Sequence, residues 1–222
     1  MKILNLYACL GGNRYKWDEV AEQAGIEIEV TAIELDEELA KLYQERFPTD
    51  QVIVADAHEY LLKHFSEYDF VWSSPPCPTH SKIRVSQKNR ESFEHKYPDM
   101  KLYEEVIFLQ NFHKGLFCVE NVTPYYEPLI PAQKVGRHLY WTNFSLGNNL
   151  NERKEFNGIM CAAKNEVAEL SKMHDYDFRK YKGNQRIDKI ARNLVDYEVG
   201  KAIMQRALNL KIENNSHQIE LF

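Results

Sequence analysis

Apolar residues run from Ile3 to Ala8, and β-branched ones dominate from Ile28 to Ile33, which predicts two strands. Between them Trp17, Val20, Ala21 and Ala24 recur at helical spacing before Gly25, predicting a helix from Tyr15 to Ala24. Leu10-Gly11-Gly12-Asn13 reads as a turn that also caps this helix. The alternation continues with a helix over Glu37 to Phe47, stopped by Pro48, and a strand over Val52 to Ala55. Ala57 to Phe65 reads as a short helix, and Phe70-Val71-Trp72 as a strand ending at Pro75-Pro76. Leu102 to Phe112 is helical and Leu116 to Val119 is a fifth strand. Strands and helices taking turns in this way predict an α/β fold, a parallel sheet wrapped by helices.

The second half is less regular. Arg137 to Phe144 reads as a strand and Gly147-Asn148-Asn149 as a turn, followed by a polar, weakly patterned stretch. Val199, Ala202, Ile203, Ala207 and Leu210 then form one face of a closing helix. From Lys211 the chain is polar until Ile219-Glu220-Leu221-Phe222.

Parallel sheets bind ligands at the carboxyl ends of their strands. The residues just after each predicted strand are therefore the candidates: Leu10-Gly11-Gly12, Glu34, Asp56, Pro76-Cys77 and Glu120-Asn121. Glycines let a backbone approach a ligand, and a carboxylate after the second strand can accept bonds from ribose hydroxyls. The spacing does not fit GxGxxG, and taken singly each of these residues reads as an ordinary turn or surface acid. Ser74-Pro75-Pro76-Cys77-Pro78 is more specific, because two prolines stiffen the chain and fix the cysteine at a strand end. A nucleophilic role for that thiol requires activation by its surroundings. Glu120, one loop away, is a candidate proton donor, or simply a capping acid.

Composition limits the classes. The 222 residues carry 28 Lys+Arg against 33 Asp+Glu, a net charge of −5, with 44% hydrophobic residues, which fits one folded domain with a small appendage. No run approaches the roughly 20 apolar residues of a membrane span, and the apolar stretch before Cys9 is too short for a signal core. Cys9, Cys77, Cys118 and Cys161 form no CxxC pair, so no zinc site is expected and the thiols read as reduced and cytoplasmic.

Taken in order, several motifs resemble the cytosine-C5 DNA methyltransferases. They are Tyr7-Ala8-Cys9-Leu10-Gly11-Gly12, Glu34-Leu35-Asp36, Asp56-Ala57, Pro76-Cys77 with Ser81, Glu120-Asn121-Val122 and Arg192-Asn193. The resemblance spans about residues 3 to 210. It implies a Rossmann-like, mostly parallel fold that binds S-adenosylmethionine. By similarity Tyr7, Leu10, Gly11, Gly12, Leu35, Ala57 and Pro76 lie around the cofactor. Glu34 would hold its ribose, Asp56 its adenine amino group, and Asn193 would lie beside its amino-acid end. Cys77 would attack C6 of a flipped cytosine and Glu120 would contact N3. Either Arg137 or His138 would help hold the base, since neighbours on a strand face opposite ways. Cys9 stands where the family often has glycine, and Leu35 where many members carry an aromatic residue.

The resemblance divides the chain into a catalytic part, 1–144, a short target-recognition region, 145–191, a returning helix, 192–210, and a tail, 211–222. So small a recognition region implies short or reduced sequence specificity, or a different substrate such as tRNA or a single strand. Residues 179 to 192 hold Arg179, Lys180, Lys182, Arg186, Lys189 and Arg192 against Asp188 alone. The loop from 82 to 101, including Lys82 and Arg84, is also basic. Both read as phosphate contacts despite the negative total. An amino-group methyltransferase usually has an aromatic residue where this chain has Cys77. A catalytically silent nucleic-acid-binding module is the rival from another class, against which the intact Cys77 and Glu120 argue. The sequence further predicts a cytoplasmic, nucleoid-associated monomer in a restriction, phage-protection or regulatory setting. Gln218-Ile219-Glu220-Leu221-Phe222 resembles the peptide by which bacterial proteins bind the sliding clamp, with Leu221 and Phe222 filling an apolar pocket and Gln218 making a polar contact.

Overall fold

The computed structural model describes residues 1–86, 88–89, 93–147, 150 and 166–210. Cys161, much of the expected recognition region and the clamp-like tail with Gln218, Leu221 and Phe222 lie outside the described residues. The first half alternates as predicted: β1 (Lys2–Leu6), α1 (Trp17–Ala24), β2 (Glu29–Glu34), α2 (Glu37–Arg46), β3 (Gln51–Val54), α3 (Ala57–His64) and β4 (Phe70–Ser73). After a short α4 (Lys82–Ser86) come α5 (Lys101–Phe112) and β5 (Leu116–Val122). A hairpin of β6 (Gln133–Val135) and β7 (His138–Thr142) follows, then α6 (Glu166–His174), α7 (Ile187–Asn193) and α8 (Tyr197–Ala207).

The strands form one sheet in the order β3-β2-β1-β4-β5-β7-β6. The first five pair in parallel, and β7 runs antiparallel to both of its neighbours. The period of two along each strand sorts side chains onto the two faces. Ile3, Phe70 and Trp72 join Trp17, Val199 and Ile203 on the face covered by α1 and α8. Leu4, Leu6 and Val71 join Leu61, Val106 and Leu109 on the face covered by α3 and α5. Chain order reverses between β1 and β4, so the crevice at their carboxyl ends is the expected ligand site.

Three local expectations are corrected. Asn13 does not cap α1. It is buried with its side-chain amide donating to Asn5 Oδ1 at 2.8 Å, and the helix starts later, after Lys16, with no side-chain cap. β6 passed unseen because Gln133-Lys134-Val135 is too short and polar for an alternating signal. Within the weakly patterned stretch, α6 and α7 bury only one narrow stripe each, including Leu170, Ile190 and Ala191. No helix among the described residues is long and apolar enough to cross a membrane.

α8 crosses the loop after β1 so closely that a Cβ on Gly200 would lie 2.4 Å from the Asn13 carbonyl oxygen. Glycine to alanine inside a helix ordinarily stabilises by about 1 kcal/mol. Here the clash reverses the sign, and Gly200→Ala should destabilise by about 1–3 kcal/mol. A lowered urea midpoint with an unchanged slope is the expected reading, and an unchanged or raised midpoint would refute the contact.

Candidate active site

The turn after β1 winds through the left-handed region at Tyr7 (φ 56°), Cys9 (φ 49°) and Gly11 (φ 66°). For the two residues with a Cβ this conformation costs about 1–2 kcal/mol each, which explains why glycine suits position 9. Two bonds hold the turn against β2. Ala8 N–H donates to the Ile33 carbonyl at 3.0 Å, and Cys9 N–H donates to Glu34 Oε2 at 2.8 Å. Glu34 Oε1 also accepts from Asp36 N–H at 2.9 Å. Burial raises the Glu34 pKa, with these backbone bonds acting in the other direction.

The glycines of this turn admit protein as much as ligand. A Cβ on Gly11 would lie 2.4 Å from the Phe47 ring, and one on Gly12 2.4 Å from the Val195 carbonyl. Leu10 is fully buried in a cluster with Leu39, Leu42, Phe178 and Leu194, so its side chain serves the core. Ala57 is likewise buried. Glu34, by contrast, keeps partial exposure, Leu35 beside it is 68% exposed, and Asp56 stands exposed as the N-cap of α3.

Pro75 lies buried at the end of β4, its carbonyl accepting from Asn121 Nδ2 at 2.9 Å, while Pro76 is exposed. The chain after Cys77 is laced to the chain after β5: Ser81 bridges Pro124, and Tyr125 N–H donates to the His80 carbonyl at 3.0 Å. Cys77 is thus fixed at the rim of the crevice. Burial and then the charge of Glu120 push its thiol up to about 11, while Arg137 pulls the other way. Glu120 lies on β5 and so caps no helix, and its Oε1 is 3.7 Å from His138 Nε2. Glu120, Arg137, His138 and Asn193 line one small cleft. Arg137 and His138 share it because Arg137 belongs to the two-residue turn before β7, where strand alternation does not apply.

Sequence reasoning missed Glu105. It is 1% exposed on α5 and accepts from Tyr7 Oη at 2.6 Å, His58 Nδ1 at 3.0 Å and Ser73 Oγ at 2.5 Å. The bond to Glu105 raises the His58 pKa, and burial followed by the Glu105 charge raises that of Tyr7. The available signal was an acid falling on the apolar stripe of Leu102, Val106 and Leu109.

The basic segment is less free than its charge count implies. Arg179 pairs with Asp177 at 2.8 Å, Arg186 with Asp188 at 2.7 Å and Arg192 with Glu166 at 2.5 Å. Lys180 and Lys182 make no such pair among the described residues. Lys82 and Arg84 lie on α4, directly after Ser81, with Arg84 over the Phe93 ring.

A mostly parallel sheet with acids at the ends of β2 and β3, and a glycine-bearing turn after β1, defines an α/β methyltransferase fold. Residues 1–126 match the family described as C-5 cytosine-specific DNA methylase, and the chain belongs to that family. Its fold is similar to the Entamoeba histolytica methyltransferase EhMeth, at 11% identity and TM-score 0.56, covering 94% of this chain and 98% of that one. A DNMT2 mutant from Spodoptera frugiperda is 12% identical with TM-score 0.48, covering 94% and 98% of the two chains. No curated protein matches the chain. Membership implies S-adenosylmethionine as cofactor. The donor set fits it: Glu34 at the end of β2 and Asp56 after β3 offer carboxylates to hydroxyl and amino groups, and Leu35, next to Glu34, is an exposed apolar surface.

Alkylation of Cys77 followed by mass spectrometry should increase about tenfold per pH unit up to its pKa of about 11. Glu120→Gln removes a negative neighbour and should shift this profile to lower pH, whereas Arg137→Ala should shift it higher. A wild-type midpoint below pH 8, or shifts of the opposite sign, would contradict the electrostatics described.

Proposed function

We propose that the chain methylates C5 of cytosine in DNA through a covalent adduct of Cys77. The supporting observation is that Glu120, Arg137, His138 and Asn193 line one cleft, and that Glu120 and Arg137 both act on the Cys77 thiol. S-Adenosylmethionine, when bound, supplies an electrophilic methyl group. Glu34 holds its ribose hydroxyls, Asp56 its adenine amino group and Asn193 its amino-acid end. Leu35 covers one face of the adenine, and Tyr7, Gly11, Gly12 and Pro76 border the site.

A cytosine within a duplex reaches this rim only when flipped out of the stack. Arg137 and His138 then hold it, and Glu120 makes a proton-bearing contact with N3. Sγ of Cys77 adds to C6, which turns C5 from a poor nucleophile into an enamine carbon. C5 would then accept the methyl group the cofactor supplies, leaving S-adenosylhomocysteine, and loss of the C5 proton to water with cleavage of the Sγ–C6 bond would restore the ring and the thiolate. At a pKa of about 11 only about one thiol in ten thousand is ionised at neutral pH. Sharing a proton between Glu120 and N3 removes the charge that opposes ionisation and leaves Arg137 to favour it. The bound base thereby activates its own nucleophile.

Cys77→Ala should bind S-adenosylhomocysteine like the wild type, yet show no methyl transfer and no trapping on 5-fluorocytosine DNA. Full activity in this variant would refute the adduct. Methyl transfer to RNA but not to DNA would overturn the substrate while leaving the chemistry standing.

Ser81, Lys82, Arg84, Lys180, Lys182 and Arg186 border the nucleic-acid path, with the unpaired lysines carrying most of the phosphate contact. Lys180→Ala with Lys182→Ala should weaken binding equally on all sequences and flatten the logarithmic salt slope by about two. Methylation mapped in expressing cells should show a site of about two to four base pairs. A site of six or more positions would refute the minimal recognition region.

A further inference from the structure

Glu105 does work that the reaction scheme leaves unexplained. A carboxyl group with 1% exposure is costly to bury, and a leucine on this apolar stripe would avoid the cost altogether. What the carboxylate adds is three bonds to three different elements. Tyr7 opens the left-handed turn after β1, His58 is the second residue of the helix capped by Asp56, and Ser73 ends β4, four residues before Cys77. Tyr7 thus borders the proposed cofactor site, His58 follows Asp56 by two residues and Ser73 leads into the Cys77 loop, and a single buried group joins all three.

We propose that Glu105 is a positioning residue, fixing the cofactor turn at Tyr7 and the Cys77 loop at Ser73 in one relative geometry. The proposal rests on the methyl-transfer reading above, deepening it with a group that touches neither substrate nor cofactor. Oε1 and Oε2 divide these buried bonds between the two halves of the site. The cofactor half is reached through Tyr7, whose strained backbone has its side chain tied down at 2.6 Å. The nucleophile half is reached through Ser73 and the stiff Pro75-Pro76 segment, which transmits any shift of the strand end to Cys77.

The test measures two quantities on the full chain: the dissociation constant for S-adenosylhomocysteine, and the trapping rate on 5-fluorocytosine DNA at saturating S-adenosylmethionine. Tyr7→Phe should weaken cofactor binding about threefold or more, and Ser73→Ala should slow trapping about tenfold with cofactor affinity within about twofold. Glu105→Leu should do both, while Glu105→Gln, which can accept from Tyr7 and donate to Ser73, should stay within about threefold of wild type. A merely structural role would lower thermal stability without this division between the two readouts. A loss in either single variant on its own readout supports the proposal. Wild-type values in both overturn it whether or not Glu105→Leu folds, and so does a Glu105→Gln variant as impaired as Glu105→Leu. Wild-type protein that binds S-adenosylhomocysteine but never traps would overturn the adduct, and the binding arm would still decide the hold on Tyr7. Wild-type protein that does not bind S-adenosylhomocysteine overturns both readings.

Discussion

The structure depends on a six-residue turn, Tyr7 to Gly12, held in an unfavourable backbone conformation by bonds from β2. Closing it requires the Glu34 carboxylate, which accepts the Cys9 amide and then the Asp36 amide, so the end of β2 and the turn after β1 are fixed together. Several helices and the loop before α8 pack onto this turn. Leu10 anchors α2 and α7, Gly11 admits Tyr43 and Phe47, Gly12 admits the Val195 carbonyl, and Asn13 meets α8 at Gly200. A turn with two strained residues persists only when its surroundings over-determine it. Here they do, and the strain is concentrated where the cofactor is proposed to bind.

Much of this was legible in the sequence because the physics is local. Apolar and β-branched runs placed the first four strands within one or two residues and stopped β5 three residues short of Val122, since the central strands must meet α1 and α8 on one face and α3 and α5 on the other. The strand-end rule then singled out Glu34, Asp56, Cys77 and Glu120 as candidates without any contact being known. What stayed hidden was non-local. Glu105 stands far along the chain from Tyr7 and His58, and nothing near it in sequence announces its partners. The Asn13 cap failed because Asn5, a buried polar residue on the neighbouring strand, competes for the same side chain. Arg137 and His138 could not be separated from sequence because alternation was assumed where the chain turns.

The electrostatics of the crevice explain how a buried thiol and a net-negative chain suit this chemistry. Burial and Glu120 keep Cys77 protonated when no base is present, which limits oxidation and stray alkylation of an exposed-rim cysteine. The phosphate contacts proposed above fall on lysines set outside the crevice, on α4 and around Tyr181, rather than in the crevice itself. Pairing Arg179, Arg186 and Arg192 with acids confines the unpaired charge to a few lysines. Local charge, not the total, sets that attraction.

The chain from 166 to 194 is stabilised by borrowing. A segment as short as residues 166–194 cannot enclose a core of its own. It shares one instead, placing Leu170, Phe178, Tyr181 and Ile190 against Leu10, Leu39 and Leu42. Its polar anchor is also borrowed: Asp36, two residues after Glu34, accepts from Tyr181 Oη at 2.8 Å and from Gln185 Nε2 at 2.7 Å. Burial works against the charge on Asp36, but the bonds from Gln185 and Tyr181 outweigh it and lower its pKa. Lys180 and Lys182 flank Tyr181, so the proposed phosphate contacts are tied by one hydroxyl to the strand end proposed to hold the ribose. A larger relative with a self-contained reading domain could let the two move apart. In this chain the surface proposed to meet nucleic acid is packed on Leu10 of the turn and bonded to Asp36 beside Glu34, so it is built on the same elements as the proposed cofactor site.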